Sequence, residues 1–267
     1  MRRNAPDAVI DVHHPRIDRE IGYFNLGQLD SAGDRAGRPG FSFDFDAIEV
    51  LNGYQDPERR HIDHLIDDWF NLLNHGHLAT ATGNSDTHHL DHNIGGYPRN
   101  WLRVADDRPS ATKPAEIAAA LKGHHSFFST APFVLLQVDG VGLGGTVDAR
   151  DGMIRVEIEV RAAPWVSVSQ VALFQSGREV KRWAVTRDAP APAGGKGGAR
   201  FQATLDLPVT ADGWLVARVD GAEPLAPVVG DRVRFDVRPL AVTNPIFLDH
   251  DGNGRFDPPL AALDHRH

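Results

Sequence analysis

Cysteine is absent from the 267 residues, which excludes disulfides, thiolate zinc sites and cysteine nucleophiles. That absence fits either side of a membrane, so the compartment stays open. An excess of basic charge is also missing. Lys and Arg number 28 against 36 Asp and Glu, a formal net charge of −8 with the signs interspersed. Nucleic-acid and anionic-membrane surfaces need clustered Lys and Arg, so neither partner is expected. No run approaches the roughly 20 apolar residues of a membrane-spanning helix. The start, Met1-Arg2-Arg3-Asn4-Ala5-Pro6-Asp7, has a basic pair but no apolar stretch, so no secretory signal is expected in this chain. The remainder is ordinary for a globular protein, 41% hydrophobic and 24% charged, and long enough for one large domain or two.

Histidine divides the chain. Of 14 histidines, eleven lie before residue 126 and three at 250, 265 and 267, with none between. The front alternates strand and helix. Ala8–Val12 and Phe45–Leu51 read as short strands, the first ending at His13-His14-Pro15 and the second at Asn52-Gly53. A helix follows, with Asp56 as N-cap, Pro57 in the first turn, and Leu65, Ile66, Trp69, Phe70, Leu72 and Leu73 at helical spacing up to a stop at Gly76. A third strand, Leu78–Thr82, runs into Gly83-Asn84-Ser85-Asp86, and a later helix spans Pro114–Leu121. Such a β/α pattern gathers its site at the carboxyl ends of the strands.

From Ala131 the period changes to two. Ile154–Val160 alternates strictly, Val171–Phe174 and Val180–Val185 flank Ser176-Gly177 as a hairpin, and Phe201–Leu207, Trp214–Val219 and Val233–Val237 add strands. Ala189–Gly198 is a loop rich in Pro, Ala and Gly. The expected fold class is α/β plus β, divided as residues 1–130, a small β-sandwich at 131–243 and a tail at 244–267.

Asp86 and His88 stand two residues apart after a strand. In extended backbone they share one face, roughly 7 Å apart along the chain, and both can reach one metal ion or one ion each of a pair. The bland alternative is a turn, for which Asn84, Ser85 and Asp86 are all suited. His14 precedes proline, which favours extended backbone there, and imidazole is a common ligand of Zn, Mn and Fe. Beside it, Arg16 could hold an anionic oxygen bidentately. His13 and His89 read as neighbours of ligands, because adjacent residues point to opposite sides. Glu49 is a charge in an apolar strand, either coordinating or, if that strand has an open face, solvated. In the tail, Asp249, Asp251, Asn253 and Asp257 place oxygens at positions 1, 3, 5 and 9 of a calcium loop with Gly254 at 6. Position 12 is Leu260 instead of Glu, so a self-bonded turn competes with calcium binding. His61, His64, His75, His77, His92, His124 and His125 have no metal-ligand spacing.

Taken in order, Val12-His13-His14-Pro15-Arg16, Gly22-Tyr23-Phe24-Asn25, Phe45-Asp46-Ala47-Ile48-Glu49-Val50-Leu51-Asn52-Gly53, Asp68-Trp69-Phe70, Gly83-Asn84-Ser85-Asp86-Thr87-His88 and Gly96-Tyr97-Pro98-Arg99 resemble the PHP (polymerase and histidinol phosphatase) family. The nearest likeness is to its CehA/McbA-type hydrolases. Residues 5–130 carry most of the resemblance. Ala163-Pro164-Trp165 and Thr243-Asn244-Pro245-Ile246-Phe247 are similar to that branch's carboxyl-terminal part.

The resemblance implies a distorted β/α barrel with a centre of two or three divalent ions. Those ions, Mn, Zn or Fe, would serve hydrolysis of phosphoesters or of carbamate esters and amides in small molecules. Its His-Pro ligand falls on His14 and its Asp-x-His pair on Asp86 and His88, with Glu49 as a weaker ligand. Arg16 and Arg99 would hold a substrate anion. The family's earlier motifs, a His-x-His, an Asp-His and a Gly-x-Glu, have no counterpart here. Residue 1 thus falls partway through the barrel, as in a gene fragment, a mis-called start or one half of a split protein. Weak or no hydrolysis is therefore expected of this chain alone, with an upstream chain completing the barrel. Any signal directing a full-length form to the periplasm or outside the cell would also lie upstream. The alternative is a non-catalytic β-sandwich module, binding calcium through its tail, beside a remnant barrel.

Overall fold

The stretches 47–52 and 80–84 are built of small, β-branched and apolar residues that are buried along nearly their whole length, as in strands covered on both faces of a parallel sheet. The computed structural model describes residues 7–17, 21–30, 32–33, 35–53, 60–88, 94–186, 198–230 and 236–259. Its elements in chain order are β1 (Asp11–Val12), α1 (Tyr23–Gly27), β2 (Ala47–Asn52), α2 (Arg60–Asn74), β3 (Thr80–Asn84), β4 (Arg99–Leu102), α3 (Pro114–Lys122), β5 (Ser126–Ser129), β6 (Phe133–Val138), β7 (Thr146–Asp148), β8 (Met153–Arg161), β9 (Gln170–Gln175), β10 (Arg178–Ala184), β11 (Ala199–Pro208), β12 (Gly213–Asp220), β13 (Leu240–Thr243) and β14 (Ile246–Asp249). The fold is mixed α/β, mostly sheet with few helices, and no closed barrel forms among the described residues. No described helix is long and apolar enough to cross a membrane.

The strands β1, β2 and β3 form a parallel sheet in that order, with Asp11 opposite Ala47 and Ile48 opposite Ala81. The second and third begin two residues later than the apolar runs suggest. Phe45 N–H bonds Phe43 O and Ala79 N–H bonds His77 O, tight turns of the kind common at strand ends. The Phe43 and His77 rings stack across the two turns at 3.8 Å. The register slips between Glu49 and Leu51.

Helix α2 supplies the crossover that parallel strands require. Its start at Asp56 and Pro57 lies outside the described residues. Its end is explicit: Gly76, at φ 81°, and His77 send their N–H groups back to Leu73 O and Leu72 O, a Schellman closure that favours glycine. The helix buries residues on two sides. Trp69 Nε1–H bonds Ala79 O toward the parallel sheet. Phe70 packs on Trp214 and Phe174, and Asn74 Oδ1 accepts from Trp214 Nε1. Arg218 of β12 reaches Asp63 at 2.6 Å and Asp220 at 2.9 Å. Burial opposes its charge, but Asp220 and Asp63 outweigh burial and raise its pKa.

The largest sheet runs β10-β9-β12-β13-β5-β4, with β14 beside β12 and β7 beside β14. The pairing of β4, β5 and β14 carries it across residues 130 and 243, where changes of unit were expected. β13 and β14 both pair with β12, and Asn244-Pro245 interrupts what would otherwise be one strand; proline has no N–H for a ladder. The expected hairpin is β9–β10, turning through Ser176 (φ 47°) and Gly177 (φ 82°), the paired left-handed backbone of a type I′ turn. The third sheet, β11-β8-β6, is antiparallel. Ile154, Val156, Ile158 and Val160 of β8 share a core with Val171, Leu173, Leu215 and Val219 of the large sheet. Residues 189–197 of the expected loop and 233–235 of the last expected strand lie outside the described residues.

The parallel and large sheets meet at β3 without a backbone ladder. Asn244 donates to Ala81 O at 3.1 Å and accepts from Ala81 N–H at 2.8 Å. Asn100 does the same for Gly83, at 3.1 and 2.9 Å. Two side-chain amides thereby serve the open edge of β3 as a neighbouring strand would. Gly83 is needed there, because a Cβ would meet the Phe128 ring at 3.0 Å.

Candidate metal centre

At the carboxyl end of the parallel sheet, six side chains form a row of alternating carboxylates and imidazoles. Asp11 Oδ2 lies 3.4 Å from His13 Nε2, and His13 Nδ1 lies 3.7 Å from Glu49 Oε1. Glu49 Oε2 is 3.2 Å from His14 Nδ1, and His14 Nε2 is 3.7 Å from Asp86 Oδ2. Asp86 Oδ1 in turn is 3.5 Å from His88 Nδ1. His14, Glu49, Asp86 and His88, picked from the sequence, are thus brought together from three separate segments.

Glu49 is 1% exposed, so the solvated alternative for it does not hold. Its carboxylate accepts from His14 N–H at 2.9 Å and from the Asn84 amide at 3.1 Å. His14 and Asp86 depart from the extended backbone expected of them, at φ 51° and 49°. A left-handed residue that is not glycine costs roughly 1–3 kcal/mol. At His14 the turn aims the N–H at Glu49; Asp tolerates this conformation better than most residues. The turn also breaks the alternation of sides, so adjacent His13 and His14 both face Glu49. Asp86 and His88 meet through a local turn rather than along one strand face, His88 Nδ1 lying 2.5 Å from Asp86 O.

Sequence reasoning missed Asp11 and His13. The signal was present, since Asp11-Val12-His13 has the same i,i+2 pattern as Asp86-Thr87-His88 and sits on a true strand. Burial raises the Asp11 pKa from its ordinary value; His13 is the main opposing influence, and Thr82, 3.2 Å from Oδ2, also lowers it. Asp11 Oδ1 and His14 Nδ1 are buried without a hydrogen-bond partner.

The row offers ligand atoms in neighbouring pairs; among the described residues, only Asp212, Asp249 and Asp251 bring three ligand atoms within 4.8 Å of one another. Separations of 3.2–3.7 Å along the row are too long or too poorly aimed for hydrogen bonds. Two donors about 2.0–2.2 Å from one tetrahedral ion would lie roughly 3.3–3.6 Å apart. Each nitrogen of His14 faces a different carboxylate, so the row would divide its donors between ions rather than surround one.

The two candidate anion holders differ. Arg16 is taken up by buried Asp68, at 2.5 and 3.0 Å, with Asn25 Oδ1 and Leu29 O completing its bonds. It anchors the loop after β1 to α2. Arg99 donates to Gly96 O and lies over the Tyr97 ring at 4.2 Å, with no carboxylate partner among the described residues. Among the other histidines, His124 is buried, and burial lowers its pKa to about 4. His89 and His92 lie outside the described residues.

In the tail loop, Asp249 accepts from Gly252 and Gly254 N–H at 2.7 and 2.8 Å, and Asn253 donates to Asp251 and Asp257. The loop is self-bonded, as the competing reading expected. Its unexpected member is Asp212, which accepts from the N–H groups of His250, Asp251 and Asp257. Ligand oxygens of Asp212, Asp249 and Asp251 lie within 4.8 Å of one another. Leu260 lies outside the described residues.

No family model matches the chain, no curated protein matches it in sequence, and no solved structure matches it in fold.

Proposed function

We propose that this chain carries part of the metal centre of a PHP-type hydrolase, of the CehA/McbA kind, acting on a small-molecule phosphoester or carbamate or amide ester. The observation that supports this reading is the six-residue row at the carboxyl ends of three parallel strands. In this reading β1–β3 are the carboxyl-terminal portion of a distorted β/α barrel, and the large sheet packed on β11-β8-β6, which extends past residues 130 and 243, is the following β-sandwich. His14, Glu49, Asp86 and His88, joined by Asp11 and His13, would hold divalent Mn, Zn or Fe. Such an ion, when bound, supplies Lewis acidity and a water nucleophile near neutral pH. The chain's own residues set the geometry. Glu49 fixes His14 through the His14 backbone N–H, Asn84 fixes Glu49, and Arg99, which has no carboxylate partner among the described residues, would hold a substrate anion. Among the described residues β1 pairs with β2 alone. Turnover by this chain alone should be weak or absent.

The test is calorimetry of metal-stripped protein with Mn and Zn, followed by assay with a generic phosphodiester. Saturable binding that Asp86→Ala abolishes supports the centre. No binding of either ion would end the hydrolase reading, and strong turnover lost in Asp86→Ala would contradict the incomplete-site expectation.

Asp212 favours a second reading, in which the β-rich part is a binding module with calcium in its tail loop. Asp212 brings a carboxylate from another segment to a loop that lacks Glu at position 12. Calcium binding without Mn or Zn binding would select this reading.

A further inference from the structure

A pocket of about 320 Å³ opens beside the β4–β5 ladder, lined by Trp101, Arg103, His125, Phe127, Phe133 and Leu143 among others. Its walls follow from register. Trp101 and Phe127 are direct partners in that ladder and stack at 6.1 Å with their planes 15° apart. Phe133 of β6 stands edge-on to both, at 5.2 and 5.0 Å. The three rings pack on one another in the geometry that rings prefer and form one wall of the pocket, with Trp101 left 40% exposed. Asn100, next in sequence, points the other way to Gly83, so Trp101 faces away from the contact with β3.

The pocket has one charge. The Arg103 N–H bonds His125 O, and the guanidinium lies beside Gly142, where a Cβ would sit 3.4 Å from Nη1. That guanidinium has no hydrogen bond or ion pair among the described residues. His125 Nδ1 lies 2.6 Å from Leu143 O. Its Nδ1–H donates to that carbonyl, which holds the 142–144 rim in place.

We propose that this pocket binds a small planar aromatic carboxylate, its ring against Trp101, Phe127 and Phe133 and its carboxylate on Arg103. The volume is at the low end of the roughly 300–1,000 Å³ of ligand pockets, which suits one or two rings. A planar guanidinium matches a carboxylate bidentately, and a single cation balances a single negative charge rather than a phosphate dianion. The inference is independent of the metal-centre reading.

Benzoate, with benzamide as its uncharged counterpart, is the probe, titrated by calorimetry and by tryptophan fluorescence. Saturable benzoate binding is expected, weakened roughly tenfold or more in Arg103→Gln, whereas benzamide should bind weakly and equally to both proteins. Trp101→Leu should remove the fluorescence change and most of the heat. No saturable benzoate binding to the unaltered protein would overturn the proposal, as would equal benzoate affinity in Arg103→Gln. Arg103 is exposed, so that variant decides even if Trp101→Leu fails to fold.

Discussion

Glu49 sits at the middle of the row with imidazoles on both sides and 1% of its surface exposed. A carboxylate in that position persists only where donors or a cation balance it. Glu49→Gln keeps the shape and removes the charge, and is expected to weaken Mn or Zn binding by roughly ten- to a hundredfold, read by calorimetry. Unchanged affinity would take Glu49 out of the centre. His124 illustrates the opposite case, a titratable group kept neutral. Thr80 Oγ1 lies 2.5 Å from Leu121 O, so its one hydrogen goes there, and His124 Nδ1–H must donate to Thr80 at 2.8 Å. Burial lowers the His124 pKa from 6.5 to about 4. Between those values the unfolded chain binds the extra proton and the folded chain does not, so stability rises with pH across that window. The contribution is complete above about 6.5 and falls by about 3 kcal/mol as pH drops to about 4. Urea unfolding at about pH 7 and about pH 5 should show a smaller difference for His124→Gln than for the unaltered protein.

The union of the two sheets at β3 is a property of elements. Asn244 and Asn100 stand in for a missing strand, each satisfying the N–H and C=O of one residue on the β3 edge. Removing one amide leaves two backbone groups without partners in the interior, so Asn244→Ala should cost about 3 kcal/mol, measured as a shift in urea midpoint at constant slope. A loss below about 1 kcal/mol would mean that water replaces the amide. The same junction explains what could be read from the sequence. Strict alternation in Ile154–Val160 identified β8, because that strand is half-buried and its period is its own. The Ser-Gly turn identified β9–β10 for an equally local reason. β4, β5 and β14 carry no such signal: they are four residues each and join a sheet whose central strand comes from elsewhere in the chain. At the site, His14, Asp86 and His88 were picked from residue type and place after strands and Glu49 as a charge inside an apolar strand, and the structure brings these four side chains together. Asp11 and His13 carried the same i,i+2 pattern and were passed over, His13 because the rule that neighbours face opposite sides fails once His14 turns left-handed. The fate of Arg16 was equally hidden, since its partner Asp68 is 52 residues away.

On the scale of the molecule, two candidate cation sites of different chemistry hang on one body. The core cluster that holds Val12, Ile48 and Trp69 also holds Trp214, Val242 and Phe247, with Phe256 packed against it. The parallel sheet and the strand leading into the tail loop should therefore unfold together. An ion bound by either site in the folded state alone raises stability by RT ln(1 + [L]/Kd), about 2.7 kcal/mol at a hundredfold excess over Kd. The sites differ in donors: imidazole and carboxylate in the row suit Mn, Zn or Fe, and all-oxygen donors in the tail suit calcium. Thermal unfolding with each ion separates them. Asp86→Ala should abolish the shift produced by Mn and keep that of calcium, and Asp212→Asn should do the reverse. Survival of both shifts in both variants would mean that the ions act through the net charge of −8 instead of at built sites. A manganese shift that survives Asp86→Ala would show that the alternating row does not hold the ion, because His14 Nε2 and His88 Nδ1 would then lack the carboxylate between them.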